Sequence, residues 1–295
     1  MNILVTGGTG FIGTALLPAL IAAGHTVTVL TRSARKAKLP PGVVAIERLG
    51  ALTVAPDAVI NLAGESLGAS RWTARTKAAF VESRIGMTTR LIEAFKEWPT
   101  PPKALINGSA IGWYGPRGDE TLTESSPPGE GFAAELCAKW EAVATSAETL
   151  GVRVACLRIG IVLGLPGGAL GQMLPPFKLG LGGPLGSGQQ WMSWVHRDDL
   201  VALMLRLVED DRLSGAFNGT APEPVRNTDF SRALGQALHR PAVLPMPGFA
   251  LRILVGEMAD ELLLQGQKVM PARALGAGFS FQYPSLNAAL ARVLQ

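Results

Sequence analysis

Residues 2–13, NILVTGGTGFIG, decide the fold. An apolar run, Ile3–Val5, leads straight into Thr6-Gly7-Gly8-Thr9-Gly10-Phe11-Ile12-Gly13, and an apolar helical stretch follows from Phe11 to about Ala23. Strand, glycine turn and helix in this order are what a dinucleotide diphosphate needs. Gly7 allows the sharp turn, Gly10 lets backbone approach phosphate, and Gly13 lets the helix pack close to the strand. The N–H groups at the helix start then face the anion. Thr6, Phe11 and Ile12 complete the cofactor-binding turn.

The pattern continues outward. Ile3–Val5, Thr26–Leu30, Val43–Glu47, Ala58–Asn61, Ala104–Asn107 and Arg153–Arg158 read as strands. Most are continuous apolar runs, as parallel strands covered on both faces show. Helical stretches alternate with them. The longest runs from about Thr73 to Trp98; another, from about Gly131 to Leu150, is closed by Gly151. Pro18 removes one donor from the first helix and predicts a mild kink there. The whole predicts an α/β fold, a Rossmann-like, doubly wound parallel sheet with helices on both faces. The pattern then changes. Gly164–Gly188, rich in glycine and proline, reads as an irregular excursion, Trp191–Val195 as a strand, Asp198 to about Val208 as a helix, and Phe217–Gly219 as a last strand. From Ala221 onward, prolines surround two or three short helices. The expected organisation is a dinucleotide-binding domain of residues 1–165 and 190–220. A smaller, mainly helical, substrate-side domain of residues 166–189 and 221–295 would cap the carboxyl ends of the strands.

Composition bounds the function. A chain of 295 residues, 47% hydrophobic and 17% charged, is globular with room for a large core. The formal charge of +4 suits an anionic small ligand, and no Lys/Arg run with interleaved aromatics suggests a nucleic-acid groove. Cys137 and Cys156 are too few for a disulfide framework and point to a reducing compartment. His25, His196 and His239 lack metal-ligand spacing, so no metal is expected. No basic leader precedes the first strand and no apolar run is long enough to span a bilayer, so a cytoplasmic protein without a membrane partner is expected. A Gly-x-Ser-x-Gly elbow and a P-loop lysine are both missing, which excludes those hydrolase classes.

The second strand ends at Thr31-Arg32. This position reads the adenosine ribose, where an acidic residue suits the 2′-hydroxyl and an arginine the 2′-phosphate. Arg32 therefore selects NADP(H), with Arg35, Lys36 and Lys38 close by; an ordinary basic surface loop is the competing reading. Asn61-Leu62-Ala63-Gly64 ends the fourth strand where cofactor and substrate meet. Asn61, Ala63 and Gly64 are assigned to the cofactor, although Asn61 also reads as a strand cap. Gln189, Trp191 and Trp194 are candidates for the substrate pocket, against plain packing.

Taken together, Thr6–Gly13, Asn61–Gly64, Leu157-Arg158 and Val195-His196-Arg197-Asp198-Asp199-Leu200 make about the first 220 residues resemble an extended short-chain dehydrogenase/reductase. Residues 108–115 (GSAIGWYG), 270–279 (MPARALGAGF), Tyr283-Pro284 and Ala288-Ala289-Leu290 resemble one atypical branch. It is the epimerase-like family with its own C-terminal domain, sometimes labelled sugar-nucleotide epimerase. The resemblance implies chemistry by Ser/Thr, Tyr and Lys. The Ser orients a carbonyl or hydroxyl, the Tyr moves the proton, and a Lys four residues later lowers the Tyr pKa and holds the nicotinamide ribose. Ser109 matches the Ser and Lys139 the Lys, both expected near the nicotinamide, and Arg84 falls near the cofactor. The Tyr position is Glu135. A carboxyl with an unperturbed pKa of about 4.3 is a poor donor at neutral pH, whereas burial raises one towards a working acid. A solvated i,i+4 pair with Lys139 is the preferred alternative. Tyr114, the nearest phenol to Ser109 along the chain, is the other candidate donor, with a structural role as its competitor.

Two functions follow. An NADP(H)-dependent oxidoreductase or nucleotide-sugar epimerase with an altered catalytic set, acting on an unidentified small molecule, is favoured by Ser109 and Lys139. A catalytically inactive NADP(H)-binding sensor or regulatory protein is favoured by Glu135. The oligomeric state stays open between monomer and homodimer.

Overall fold

Alternate residues of the first strand, β1 (Asn2–Thr6), part to opposite faces: Ile3 and Val5 enter one apolar core and Leu4 the other. The computed structural model describes all 295 residues. The remaining strands are β2 (Thr26–Leu30), β3 (Val44–Ile46), β4 (Ala58–Asn61), β5 (Ala104–Ala110), β6 (Thr121–Leu122), β7 (Arg153–Ile159), β8 (Ile161–Leu163), β9 (Trp191–Met192), β10 (Trp194–His196), β11 (Gly215–Gly219), β12 (Val225–Arg226) and β13 (Lys268–Val269). Seven of them form one parallel sheet in the order β11-β7-β5-β4-β1-β2-β3. The order reverses beside β1, and a crevice at the carboxyl ends of the strands is the expected ligand position in such a sheet.

The helices are α1 (Gly13–Ala22), α2 (Ala74–Val81), α3 (Met87–Glu97), α4 (Phe132–Thr145), α5 (Gly168–Lys178), α6 (Arg197–Glu209), α7 (Asn227–Ala237), α8 (Gly248–Val255), α9 (Ala272–Gly276) and α10 (Leu286–Leu294). Leu16 and Leu20 of α1 with Leu200 and Leu203 of α6 cover one sheet face. Leu91 and Phe95 of α3 with Ala144 of α4 cover the other. Each fully buried leucine or phenylalanine contributes about 1.5–3 kcal/mol. A second core joins α5, α7 and α10 through Leu170, Leu174, Phe177, Phe230, Leu234 and Leu290. No helix is long and apolar enough to cross a membrane.

Three elements differ from the sequence reading. The stretch read as irregular contains α5, whose Leu170, Leu174 and Phe177 form a buried stripe that holds a helix despite Pro175 and Pro176 in its last turns. The expected strand Trp191–Val195 is two strands: β9 pairs antiparallel with β12, and β10 pairs parallel with β8. Trp194 packs into the C-terminal core and its neighbour Val195 into the sheet core, so β10 is a seam between the lobes. The expected long helix from Thr73 is α2 and α3 joined by one widened π-turn, Glu82–Gly86, which carries Arg84.

Candidate cofactor groove and active site

The turn after β1 is built by backbone conformation. Gly7 has φ +68°, and a Cβ on it would stand 2.4 Å from the Leu62 carbonyl oxygen; one on Gly13 would stand 2.4 Å from that of Gly7. Only glycine fits at either place. No side chain caps the start of α1, and the N–H groups of Phe11, Ile12 and Gly13 make no backbone hydrogen bond. Three open donors at a helix N-terminus form an anion cradle, beside which Gly10 lies exposed. Thr6 and Asn61 brace it from below. Thr6 Oγ1 donates to Asn61 Oδ1 at 2.5 Å and accepts from the Ala63 N–H at 3.1 Å. Asn61 Nδ2 donates to Thr88 Oγ1 and Asn107 Oδ1. Both side chains are buried, so they shape the turn, while the exposed Gly64 leaves its rim open. The Arg84 guanidinium lies under Gly64, donates to the Glu65 carbonyl at 2.9 Å and faces the Trp140 ring. Burial pulls its pKa below the usual arginine range.

At the end of β2, Thr31 donates its N–H to Ile46 of the next strand. Arg32 is exposed and makes neither an ion pair nor a hydrogen bond with any side chain, and Arg35, Lys36 and Lys38 are exposed beside it.

The sites expected for chemistry separate. Ser109, near the end of β5, is buried against α4. Glu135 and Lys139 are on the opposite side of that helix, 68% and 69% exposed, as an i,i+4 pair 3.6 Å apart. The structure thus bears the solvated-pair alternative and does not bring these two side chains beside Ser109. The face turned toward the sheet carries Ala133, Cys137 and Glu141 instead. Ala133 meets the turn at Gly112, and the Cys137 thiol is buried one turn further along the same face. Burial, helped by the Glu141 charge, pushes that thiol up to about 11. The α4 N-terminus has only Gly131 as its cap, and Glu261 of the C-terminal lobe reaches over to accept from the Ala133 N–H at 3.4 Å.

Ser109 begins a buried polar chain. Its hydroxyl donates to Glu141 Oε1 at 2.6 Å. Arg158 of β7 grips the same carboxylate with two bonds of 2.9 Å and stacks on the Trp113 ring at 3.8 Å. It also donates to the Tyr114 oxygen at 3.1 Å. The Tyr114 hydroxyl donates to Asn218 Oδ1 at 2.7 Å, and the Asn218 N–H reaches Glu124 Oε1 at 3.0 Å. The Arg273 N–H closes Glu124 from the C-terminal lobe at 3.2 Å. Tyr114 is fully buried, and burial pushes its phenol above the usual range, outweighing the lowering by Arg158 and Asn218. A proton-transfer phenol needs the opposite shift. Sequence reasoning missed Glu141, Glu124, Asn218 and Glu261. One signal was present: an arginine inside the apolar strand Arg153–Ile159 demands a buried carboxylate. Of the pocket candidates, Trp194 is buried with its Nε1–H on the Glu223 carbonyl. Trp191 has Arg226 and Lys268 close to its ring and donates to Asp119, and Gln189 is exposed.

Comparison with known proteins places this geometry among relatives. The NAD dependent epimerase/dehydratase family matches residues 3–218, and a domain of unknown function (DUF1731) matches residues 246–293. The chain is 43% identical to the chloroplastic epimerase family protein SDR39U1 homolog of Arabidopsis thaliana, covering 100% of this chain and 87% of that protein. It is 39% identical to the human epimerase family protein SDR39U1, covering 100% of both. The crystal structure of human SDR39U1 (isoform 2) with NADPH superposes with a TM-score of 0.90 at 39% identity, covering 99% of each chain.

Proposed function

The chain belongs to the NAD dependent epimerase/dehydratase family, among the SDR39U1-type epimerase family proteins, and we propose that it is an NADP(H)-dependent oxidoreductase or nucleotide-sugar epimerase with an altered catalytic set. The observation that carries the cofactor reading is the pairing of open N–H donors at Phe11–Gly13 with the unpaired Arg32 at the end of β2. The residues fit a dinucleotide: Gly7 and Gly13 hold a turn too tight for side chains, the exposed Gly10 leaves bare backbone for a diphosphate, and Arg32 has no internal partner to give up. The NADPH in the crystal structure of the human relative supports the same choice. When bound, a reduced nicotinamide supplies hydride.

The protein's own groups are poorly set to protonate a carbonyl. The Ser109 proton is committed to Glu141, the Tyr114 proton to Asn218, and Glu135 faces solvent. Ser109 therefore offers lone pairs and orients a hydroxyl better than a carbonyl. Losing a positioned general acid costs about 10²–10⁴ in rate, so reduction of generic aldehydes and sugars is expected to be weak or absent. Two buried free thiols, Cys137 and Cys156, suit a reducing, cytoplasmic setting.

Titration of the purified protein with NADPH and NADH, followed by NADPH oxidation against a carbonyl panel, tests the reading. Tight NADPH and weak NADH binding is expected. Equal affinity for both overturns the cofactor assignment. Brisk oxidation, abolished by Tyr114→Phe or Glu135→Gln, overturns the weak-reductase assignment. Binding without turnover of any alcohol or carbonyl would make this a sensor or regulatory protein.

A further inference from the structure

One cation beside the glycine turn has no partner. Arg197 opens α6 immediately after β10 and forms no ion pair and no side-chain hydrogen bond, and its buried Nε has no acceptor. Its guanidinium carbon lies 5.2 Å from the centroid of the Phe11 ring. The turn after β8 holds it there: a Cβ on Gly164 would stand 3.1 Å from Arg197 Nε and 3.2 Å from the Phe11 ring, and one on Gly168 would stand 2.6 Å from that ring. Phe11 is thus pinned between a glycine-lined wall and a guanidinium. Its own N–H, with those of Ile12 and Gly13, is open at the start of α1.

A guanidinium presents five donors in a fixed fork and binds phosphate oxygens by paired, charge-assisted bonds. Leaving a buried donor of such a group unmade is costly. An anion over the α1 N-terminus would lie between two donor sets, the backbone N–H groups on one side and the Arg197 fork on the other. We propose that Arg197 is a cofactor-binding residue that clamps the dinucleotide diphosphate from the side of the groove opposite the glycine turn. The assignment rests on the NADP(H) reading above. It adds a cation from β10–α6, the seam between the lobes, to a cradle otherwise made of backbone.

The test compares wild type, Arg197→Met and Arg197→Lys with two ligands. NADPH is titrated by fluorescence, and adenosine 2′-monophosphate, which carries the Arg32-facing phosphate but no diphosphate, by calorimetry. Loss of one charge-assisted pair is expected to weaken NADPH about ten- to hundredfold in Arg197→Met. Arg197→Lys, which keeps the charge without the fork, is expected to fall between. Adenosine 2′-monophosphate should bind all three alike. Unchanged NADPH affinity overturns the proposal, and so does equal weakening of both ligands, which would mark Arg197 as a support for the groove wall. Should Arg197→Met fail to fold, Arg197→Lys decides on the same two ligands. A wild type that binds no NADPH at all removes the function reading itself, a result separate from any difference among the variants.

Discussion

The start of α1 and the end of β5 lie on the same rim of one parallel sheet, yet they treat their polar atoms in opposite ways. At Phe11–Gly13 the donors are left open, and two cations, Arg32 at the end of β2 and Arg197 at the start of α6, are unpaired. At Ser109 the hydroxyl, the Glu141 carboxylate, the Arg158 fork and the Tyr114 phenol are joined in one continuous chain. Unpaired polar atoms cost stability and persist where a ligand completes them. A closed network holds the fold together and has few donors to spare for a substrate. The comparison separates a groove made to receive an anion from a neighbouring wall made to hold still.

The largest test of this contrast is Glu141→Ala. It leaves the Arg158 guanidinium buried without its carboxylate, and such a break is expected to cost about 3–5 kcal/mol of stability. Urea denaturation reads it directly, and a loss near zero would mean that the network is not closed in solution. Arg32→Asp should act in the opposite manner. The unfolding midpoint should stay put because Arg32 is exposed, while NADPH affinity drops by about 1.5–3 kcal/mol with its charge-assisted bonds. Titration that shows no loss would leave Arg32 an ordinary surface residue. Tyr114→Phe removes one buried hydroxyl and strands Asn218 Oδ1 and an Arg158 N–H. The expected cost is about 1–3 kcal/mol, seen as a lowered melting temperature with unchanged NADPH affinity. A weaker NADPH complex at unchanged stability would move Tyr114 from the wall to the groove. The smallest effect belongs to Glu135→Gln. An exposed ion pair contributes about 0–1 kcal/mol, so neither stability nor any turnover should shift appreciably. A large drop in turnover would bring Glu135 back to the chemistry.

What could be read in advance follows the same division. The glycine turn was legible because the demand is local: φ +68° at Gly7 and the close approach at Gly13 are written in residue type. Arg32 was legible because the strand end fixes its place. The facing of α4 was harder. Pairs spaced by four recur along any helix, and Glu135/Lys139 has the same spacing as Ala133/Cys137. Only the packing phase distinguishes them. That phase was available in the stripe Ala133, Leu136, Cys137, Trp140 and Ala144, which is the buried face. α5 was hidden by composition, since glycine at its start and two prolines in its last turns mask an apolar stripe. The partners of Arg158 and Glu124 lie at separations that no local pattern encodes, as with the Asn218 N–H reaching Glu124 across 94 positions.

The closure of Glu124 also bears on how the chain is made. Its carboxylate takes one N–H from Asn218 and another from Arg273, and β13 adds itself to β6 only a few residues earlier. A ribosome delivers about 5–20 residues each second, so Asn218 leaves the tunnel seconds before Arg273 does. During that interval all seven strands of the parallel sheet are present while the carboxylate lacks its second donor. The N-terminal lobe is then a nascent intermediate that waits for the far end of its own chain, and a released chain truncated just after β11 should be a better target for chaperones and proteases than the finished protein.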